Sequence, residues 1–306
     1  MNSSALPLIR LPWIRLLSVI GPDSTTFLQA QLSRRVDNLS PERSAVAGWH
    51  DASGKVRAVF RVIETDAGYL LSIPASLADQ LTAALKMFVL RADVTVELTD
   101  LICAGLVAGA ADAAGNSEAS PIPPLPATVN TVARRDDVYA ICVAPGCWHV
   151  IAPARALPIA TDADSCVVAA AEIRAGLPQV DQQTTQRYVA QMLNLDKLDA
   201  IDFEKGCYPG QEIIARAEHL GSVKRRAQLF SVNAADAPSS EPASGAPLVN
   251  SNDETVGEVL RCARDADGSL VLLGVVALAA LSDDLFAEHS RGPALTHHKL
   301  PFPADQ

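Results

Sequence analysis

The stretch Lys205-Gly206-Cys207-Tyr208-Pro209-Gly210-Gln211-Glu212-Ile213-Ile214-Ala215-Arg216 decides the reading of this chain. Just upstream, Ile201 to Phe203 is expected to end a short strand. Gly206, Pro209 and Gly210 make a constrained turn, because Pro fixes one dihedral and Gly admits conformations closed to other residues. Gln211 to Ala217 is a good helical run. Cys207 is thereby expected just ahead of a helix N-terminus, where free N–H groups and the helix dipole stabilise a thiolate. Lys205, two residues away, adds positive charge if it faces the same side. The expectation is a lowered thiol pKa and a reactive, metal-capable sulfur. Glu212 falls in the first helical turn, where an acid is favourable for stability alone. A plainer reading stands beside this one: turn glycines and a Pro before a helix are ordinary punctuation, and a lone cysteine is an ordinary core residue. His219, the nearest histidine, is read as a loop residue at the helix end, so a Cys–His nucleophile is not supported.

Outward from this stretch, 306 residues suggest two domains, or three small ones, at about 150 residues each. With 49% hydrophobic and 20% charged residues the composition is globular, which excludes a disordered or low-complexity protein. A net charge of −10 argues against a general binder of nucleic-acid backbones, whose affinity comes from Lys and Arg neutralising phosphates. It leaves room for a local basic pocket that holds a small anion. The apolar run Leu270 to Leu281 is too short to span a membrane, which takes about 20 residues. Met1 to Pro22 has arginines and no acid, as some targeting segments do. Pro7 and Pro12 break an amphipathic helix there, and a first strand is expected instead. The six cysteines form no C-x-x-C pair, which favours reduced thiols and a cytoplasmic protein. Cys142, Cys147 and His149 are weakly spaced as metal ligands and sit in core-like context.

Along the chain, Arg15 to Ile20 reads as a strand and Asp23-Ser24 opens a helix bearing Phe27, Leu28 and Leu32. Ala45 to Trp49 is extended, Asp51 to Gly54 turns, and Val56, Ala58, Phe60 and Val62 alternate as in a strand. Ser76 to Asp79 resembles a capping box before a helix with Leu77, Leu81, Ala84, Leu85 and Phe88 on one face. Asp93 to Leu98 alternates again. Ala108 to Pro126 is a loop rich in Ala, Gly, Ser and Pro. Strands are expected at Val138 to Val143 and Trp148 to Ile151, and a helix from Asp164 to Ala175 that stops at Gly176-Leu177-Pro178. From Lys224 onward, strands separated by Pro, Ser, Gly and Asp read as a small antiparallel barrel or sandwich.

Lys205 to Arg216 closely resembles the signature of the YgfZ-type proteins, which belong to the folate-binding superfamily of the glycine-cleavage T-protein, an aminomethyltransferase. Gly21-Pro22-Asp23 with Phe27 to Leu32 resembles the family's opening helix, Asp51 to Val56 its turn before a core strand, and Gly221 to Arg226 its entry to the C-terminal barrel. The resemblance implies an α+β fold of three lobes, two of them interleaved in sequence, with a C-terminal antiparallel β-barrel. The expected divisions are 1–107, a linker at 108–126, 127–223 with the Cys207 signature, and 224–306.

It also implies tetrahydrofolate or a derivative as ligand, and a role in assembling or repairing iron–sulfur clusters in client enzymes. Enzymes that methylthiolate tRNA are among the clients, so the link to tRNA modification is indirect and no direct nucleic-acid or membrane partner is expected. Cys207 is the reactive thiolate, a transient iron–sulfur ligand, a thiol-exchange group or a nucleophile, with no stable metal site. Lys205 tunes it, Gly206 and Gly210 set the turn, and Tyr208, Gln211, Glu212 and Arg216 complete the signature loop. Gln191, Met192 and Asn194, just upstream, are candidates to line the folate pocket, with plain packing the alternative reading for Met192 above all and also for Asn194. Lys224-Arg225-Arg226 is either a contact for an anion or a solvated strand start, and Arg34-Arg35 complements a helix C-terminus.

Two departures from the family matter. Where aminomethyltransferases carry an aspartate pair, Val56-Arg57-Ala58-Val59-Phe60 has no carboxylate, which argues against a folate-dependent one-carbon transferase. Where the family places a glutamate before Ala-Gly, this chain has Arg174, suited to a folate's glutamate tail rather than its pterin ring. Glu172 is close but is expected on another side of the helix. A non-catalytic interaction module with a vestigial folate pocket is the third reading.

Overall fold

Some strands alternate between buried and partly exposed positions, and others are buried throughout or nearly so. Val56, Ala58, Phe60 and Val62 are all buried on one strand, with Arg57 and Val59 partly exposed between them. A computed structural model describes residues 8–108, 120–157, 159–160, 165–220 and 223–302. Its strands in chain order are β1 Leu8–Arg10, β2 Ile14–Ile20, β3 Ser44–His50, β4 Val56–Thr65, β5 Gly68–Pro74, β6 Thr95–Leu98, β7 Leu101–Val107, β8 Val132–Arg135, β9 Val138–Ala144, β10 Cys147–Pro153, β11 Ile159–Ala160, β12 Arg225–Val232, β13 Pro247–Asn250, β14 Thr255–Arg264, β15 Leu270–Ala277, β16 Leu285–Ala287 and β17 Thr296–His298. The helices are α1 Ser24–Gln31, α2 Ala78–Lys86, α3 Cys166–Arg174 and α4 Gln211–Leu220.

The strands form a five-stranded sheet in the order β3-β4-β5-β2-β6, a six-stranded sheet β11-β1-β7-β10-β9-β8, and a second six-stranded sheet β16-β13-β14-β15-β12-β17. Leu8, Leu106, Val138 and Val150 form a core on the first six-stranded sheet. Phe230, Leu248, Leu272, Val276 and Leu285 do so on the C-terminal one. The C-terminal sheet curls into a half-barrel that does not close. Register shifts between Leu248 and Val249 and between Val259 and Arg261 mark the irregular points in its ladder.

By contacts the chain divides into two compact units. The first is Met1–Ala30, Arg35–Val46 and Phe60–Val168, and the second is Gln31–Arg34, Ala47–Val59 and Ala169–Gln306. Boundaries fall inside α1, β3, β4 and α3. No helix among the described residues is long and apolar enough to cross a membrane.

Several local expectations change. Ser76 is not the cap of α2: a 3-10 turn at Ala75–Leu77 leads in, Leu77 occupies the cap position, and neither start has a side-chain cap. Phe88 lies beyond the helix end and is exposed, because the apolar stripe closes at Leu85. Residues 201–203 are not a strand, and His219 lies within α4 rather than in a loop. Ser120 to Pro126 is irregular as expected, while residues 109–119 of that loop, Met1 to Pro7, Asp164, and Gly221 and Ser222 lie outside the described residues.

Neighbouring residues of α3 show how burial decides the worth of a charge. Glu172 accepts from Arg261 at 2.5 Å, their side chains 5% and 11% exposed, and Arg261 also donates to the Leu177 carbonyl. Arg174, two residues along, meets Asp265 at 2.8 Å with 43% of its side chain in solvent. Glu172→Ala leaves a buried guanidinium without its carboxylate and is expected to destabilise by about 3 kcal/mol. Arg174→Ala is expected to cost under about 1 kcal/mol. Urea unfolding followed by circular dichroism checks both; equal effects would contradict the assignment.

Candidate functional site around Cys207

All residues of this site belong to the second unit. Cys207 is exposed in an irregular loop four residues ahead of α4. The loop is held from beneath by Lys205, which is buried although it is a lysine. Its Nζ donates to the carbonyls of Leu32 at 2.5 Å and Arg34 at 3.1 Å. The same ammonium sits 5.3 Å over the Tyr208 ring, a cation–π geometry. Lys205 was expected to add charge to the Cys207 sulfur if it faced the same side; its ammonium meets two backbone oxygens and an aromatic face.

The carbonyls that receive Lys205 are themselves fixed. Ser33, fully buried between them, donates from Oγ to the Ala200 carbonyl at 2.7 Å and accepts from the Gly48 N–H at 2.9 Å. Asp202 N–H donates to the Ser33 carbonyl, and Arg34 pairs with Asp199 at 2.7 Å. Arg34 thus braces the segment before the loop rather than complementing a helix end. Nothing in the pattern of Gln31 to Arg34 signalled this platform: a short polar residue after a helix has many uses.

Tyr208 is buried, and its hydroxyl has no hydrogen-bond partner among the described residues. Burial, and then the nearby charge of Asp202, push its pKa up to about 12. Its ring lies 6.2 Å from that of His50 at the end of β3. His50 is fully buried, and burial pushes its imidazole down to about 4 against the smaller raising effects of Asp51 and the Gly54 backbone. The sequence reading did not single out His50.

After His50, the Asp51 carboxylate accepts from the Ser53 N–H at 2.9 Å, the Ser53 hydroxyl at 2.7 Å and the Lys55 N–H at 3.0 Å, closing the expected turn. Burial acts to raise that carboxyl, but these donors and Arg57 hold it below its ordinary value. The turn presses against the start of α4. Gly210 has φ +78°, and a Cβ there would stand 2.6 Å from the Asp51 carbonyl oxygen and 2.6 Å from the Gly54 Cα. Gly206 meets nothing within 4 Å. Of the two glycines, only Gly210 is required by its surroundings.

The remaining candidates fall into place around this loop. Gln211 Nε2 donates to the Lys205 carbonyl at 3.2 Å, and Glu212 pairs with Arg216 at 3.0 Å on the exposed face of α4. Gln191 and Asn194 lie in and just after a 3-10 turn at Ala190–Leu193. Gln191 Nε2 donates to the Ile214 carbonyl, and its buried Oε1 has no donor. Asn194 donates to the Ala227 carbonyl and accepts from Arg226, which forks onto Asp196 at 2.8 and 2.9 Å. Met192 is partly buried. Arg226 is therefore a buried anchor rather than a solvated strand start.

The architecture that carries this loop is the aminomethyltransferase-like fold. The chain matches the glycine cleavage system aminomethyltransferase T from Bartonella henselae with a TM-score of 0.73 and 17% identity, over 96% of this chain and 85% of that one. It is 30% identical over 325 residues to the tRNA-modifying protein YgfZ of Klebsiella pneumoniae, covering 98% of this chain and 95% of the relative. The YgfZ of Colwellia psychrerythraea is likewise 30% identical, over 96% and 93% of the two chains. The chain belongs to the YgfZ family. No family model matches it.

Two predictions follow from the packing. Gly210→Ala is expected to destabilise by roughly 2 kcal/mol or more, through the overlap and the left-handed backbone, while Gly206→Ala stays within about 0.5 kcal/mol. Chemical unfolding of the two variants checks this. His50 takes up a proton in the unfolded chain near pH 6.5 but in the folded chain only near 4, so its burial weakens the fold as pH falls through that window. Between pH 7 and 4.5 the loss is about 2 kcal/mol. His50→Gln should flatten the pH dependence of stability by that amount; an unchanged slope would contradict a neutral buried His50.

Proposed function

We propose that this chain is a folate-binding accessory protein for the assembly or repair of iron–sulfur clusters in client enzymes, acting on tRNA modification through those clients. The observation that carries the reading is a single exposed thiol, Cys207, on a loop whose underside is locked by Lys205, Ser33 and Gly210. An exposed sulfur on a fixed loop suits hand-over between proteins. It is open to a partner, and the loop loses little conformational freedom on docking. Cys207 would supply one ligand to a cluster in transit, and the client the others. The relatives' name, tRNA-modifying protein, supports the tRNA end of the proposal.

The folate part rests on the fold and on a limited set of residues. Of the four candidates, Asn194 and Arg174 already spend their polar groups on Ala227, Arg226 and Asp265. Gln191 keeps one buried acceptor uncommitted, chemistry that suits a pterin N–H. Bound folate would bring one-carbon chemistry, yet Ala58 and Val59 have no carboxylate to move a proton, so the proposal assigns folate a binding role rather than turnover.

The test is complementation. In a bacterial strain lacking its own YgfZ, the wild-type chain is expected to restore 2-methylthio modification of tRNA, and Cys207→Ala to restore none at equal level and equal thermal stability. Rescue by both would reduce Cys207 to a structural residue. Rescue by neither, with both folded, would overturn the accessory role.

A further inference from the structure

We propose that the first unit carries a second binding site, for a phosphorylated small molecule of about nucleotide size, at Arg10, Arg15 and Arg155. The proposal does not depend on Cys207 or on folate. It starts from three exposed arginines brought together by the fold. Acids outnumber bases by 35 to 25 in this chain. Arg34, Arg134, Arg174, Arg187, Arg226 and Arg261 all sit on carboxylates. Arg10, Arg15 and Arg155 have no carboxylate or carbonyl partner among the described residues. These three line two adjoining cavities that share Asp100 and Leu101.

The backbone there is fixed. The chain passes from β1 to β2 through residues 11–13 and from β6 to β7 through residues 99–100, side by side. Leu11 N–H donates to the Cys103 carbonyl and Thr99 N–H to the Leu16 carbonyl, both at 2.9 Å. Two positions beyond the Leu17–Leu98 pair of the ladder, Arg15 comes opposite Asp100, yet the two make no ion pair. The first cavity, about 210 Å³, holds Arg10 and Arg15. The second, about 360 Å³, is bounded by Leu101, Pro153, Ala154 and Arg155.

Each part selects chemistry. Guanidinium forks bind phosphate through paired charge-assisted hydrogen bonds. Three of them against one carboxylate suit a multiply charged head such as a diphosphate. Asp100 accepts only, so it takes a hydroxyl or amine of the ligand. Leu101, Pro153 and Ala154 offer an apolar wall for a ring or chain. The combined space is in the range of small-molecule sites, its first cavity mainly polar and its second mainly apolar. A small molecule is favoured over a nucleic-acid strand because the −10 net charge repels a long polyanion while one local cluster still holds a short one.

Calorimetry of the full chain with pyrophosphate, ADP and a short single-stranded RNA tests this. ADP is expected to bind more tightly than pyrophosphate, since only ADP reaches the apolar wall. Arg10→Ala and Arg155→Ala are each expected to weaken ADP roughly 10-fold or more without changing the melting temperature. No heat from pyrophosphate or ADP up to roughly 10 mM would overturn the site. So would ADP affinity unchanged in the double variant. RNA binding more tightly than ADP would overturn the small-molecule assignment.

Discussion

Taking a lysine ammonium out of water costs several kcal/mol unless oxygens replace the lost hydration at close range. Lys205 meets that demand with the carbonyls of Leu32 and Arg34, and it also lies over the Tyr208 ring. Those carbonyls have to be held in place, and Ser33 between them does so by bonding to Ala200 and Gly48. The loop bearing Cys207 is the visible end of that arrangement. Cys207 lies two residues from this buried ammonium, with its own side chain in solvent.

The same economy of polar groups runs through the second unit. Asn194, Asp196 and Arg226 form one buried network that ties a 3-10 turn to the start of β12, and Glu172 with Arg261 ties α3 to β14. Each pair is costly to break and modest in net worth, because its attraction largely offsets its own desolvation. Their use is to specify which segments meet. Lys205 and Ser33 join residues from distant parts of the chain, 31–34, 47–59 and the region after Ala169, within one unit. Of the buried polar atoms with no hydrogen-bond partner among the described residues, which occur in both units, the Tyr208 hydroxyl, the His50 ring nitrogens and Gln191 Oε1 belong to the same unit as the exposed thiol.

The strands were legible because both alternation and short apolar runs are local signals. Val56 to Val62 and Leu270 to Val276 show their burial in residue type alone, and the structure seats them as β4 and β15. Helix ends were less legible. Ser76 and Asp79 have the chemistry of a cap, but a preceding 3-10 turn shifts the helix start past Ser76. Phe88 matches the helical period, but the chain turns before it reaches the buried face. The C-terminal sheet was read as a barrel from its strands and loops. Closure depends on whether the edge strands meet, and that is a property of accumulated twist and bulges rather than of any one strand.

By itself the sequence determined the kind of elements, the family through its Lys205 to Arg216 signature, and the turn at Gly210, since each rests on residues adjacent in the chain. Tertiary structure alone decided what Lys205 does. Its partners are backbone carbonyls 173 and 171 residues away, and a carbonyl is the same in every residue, so no side-chain pattern announces it. The same holds for His50, whose neutral burial comes from its packing, and for Arg10 and Arg155, brought to adjoining cavities by the strands and crossovers of their unit.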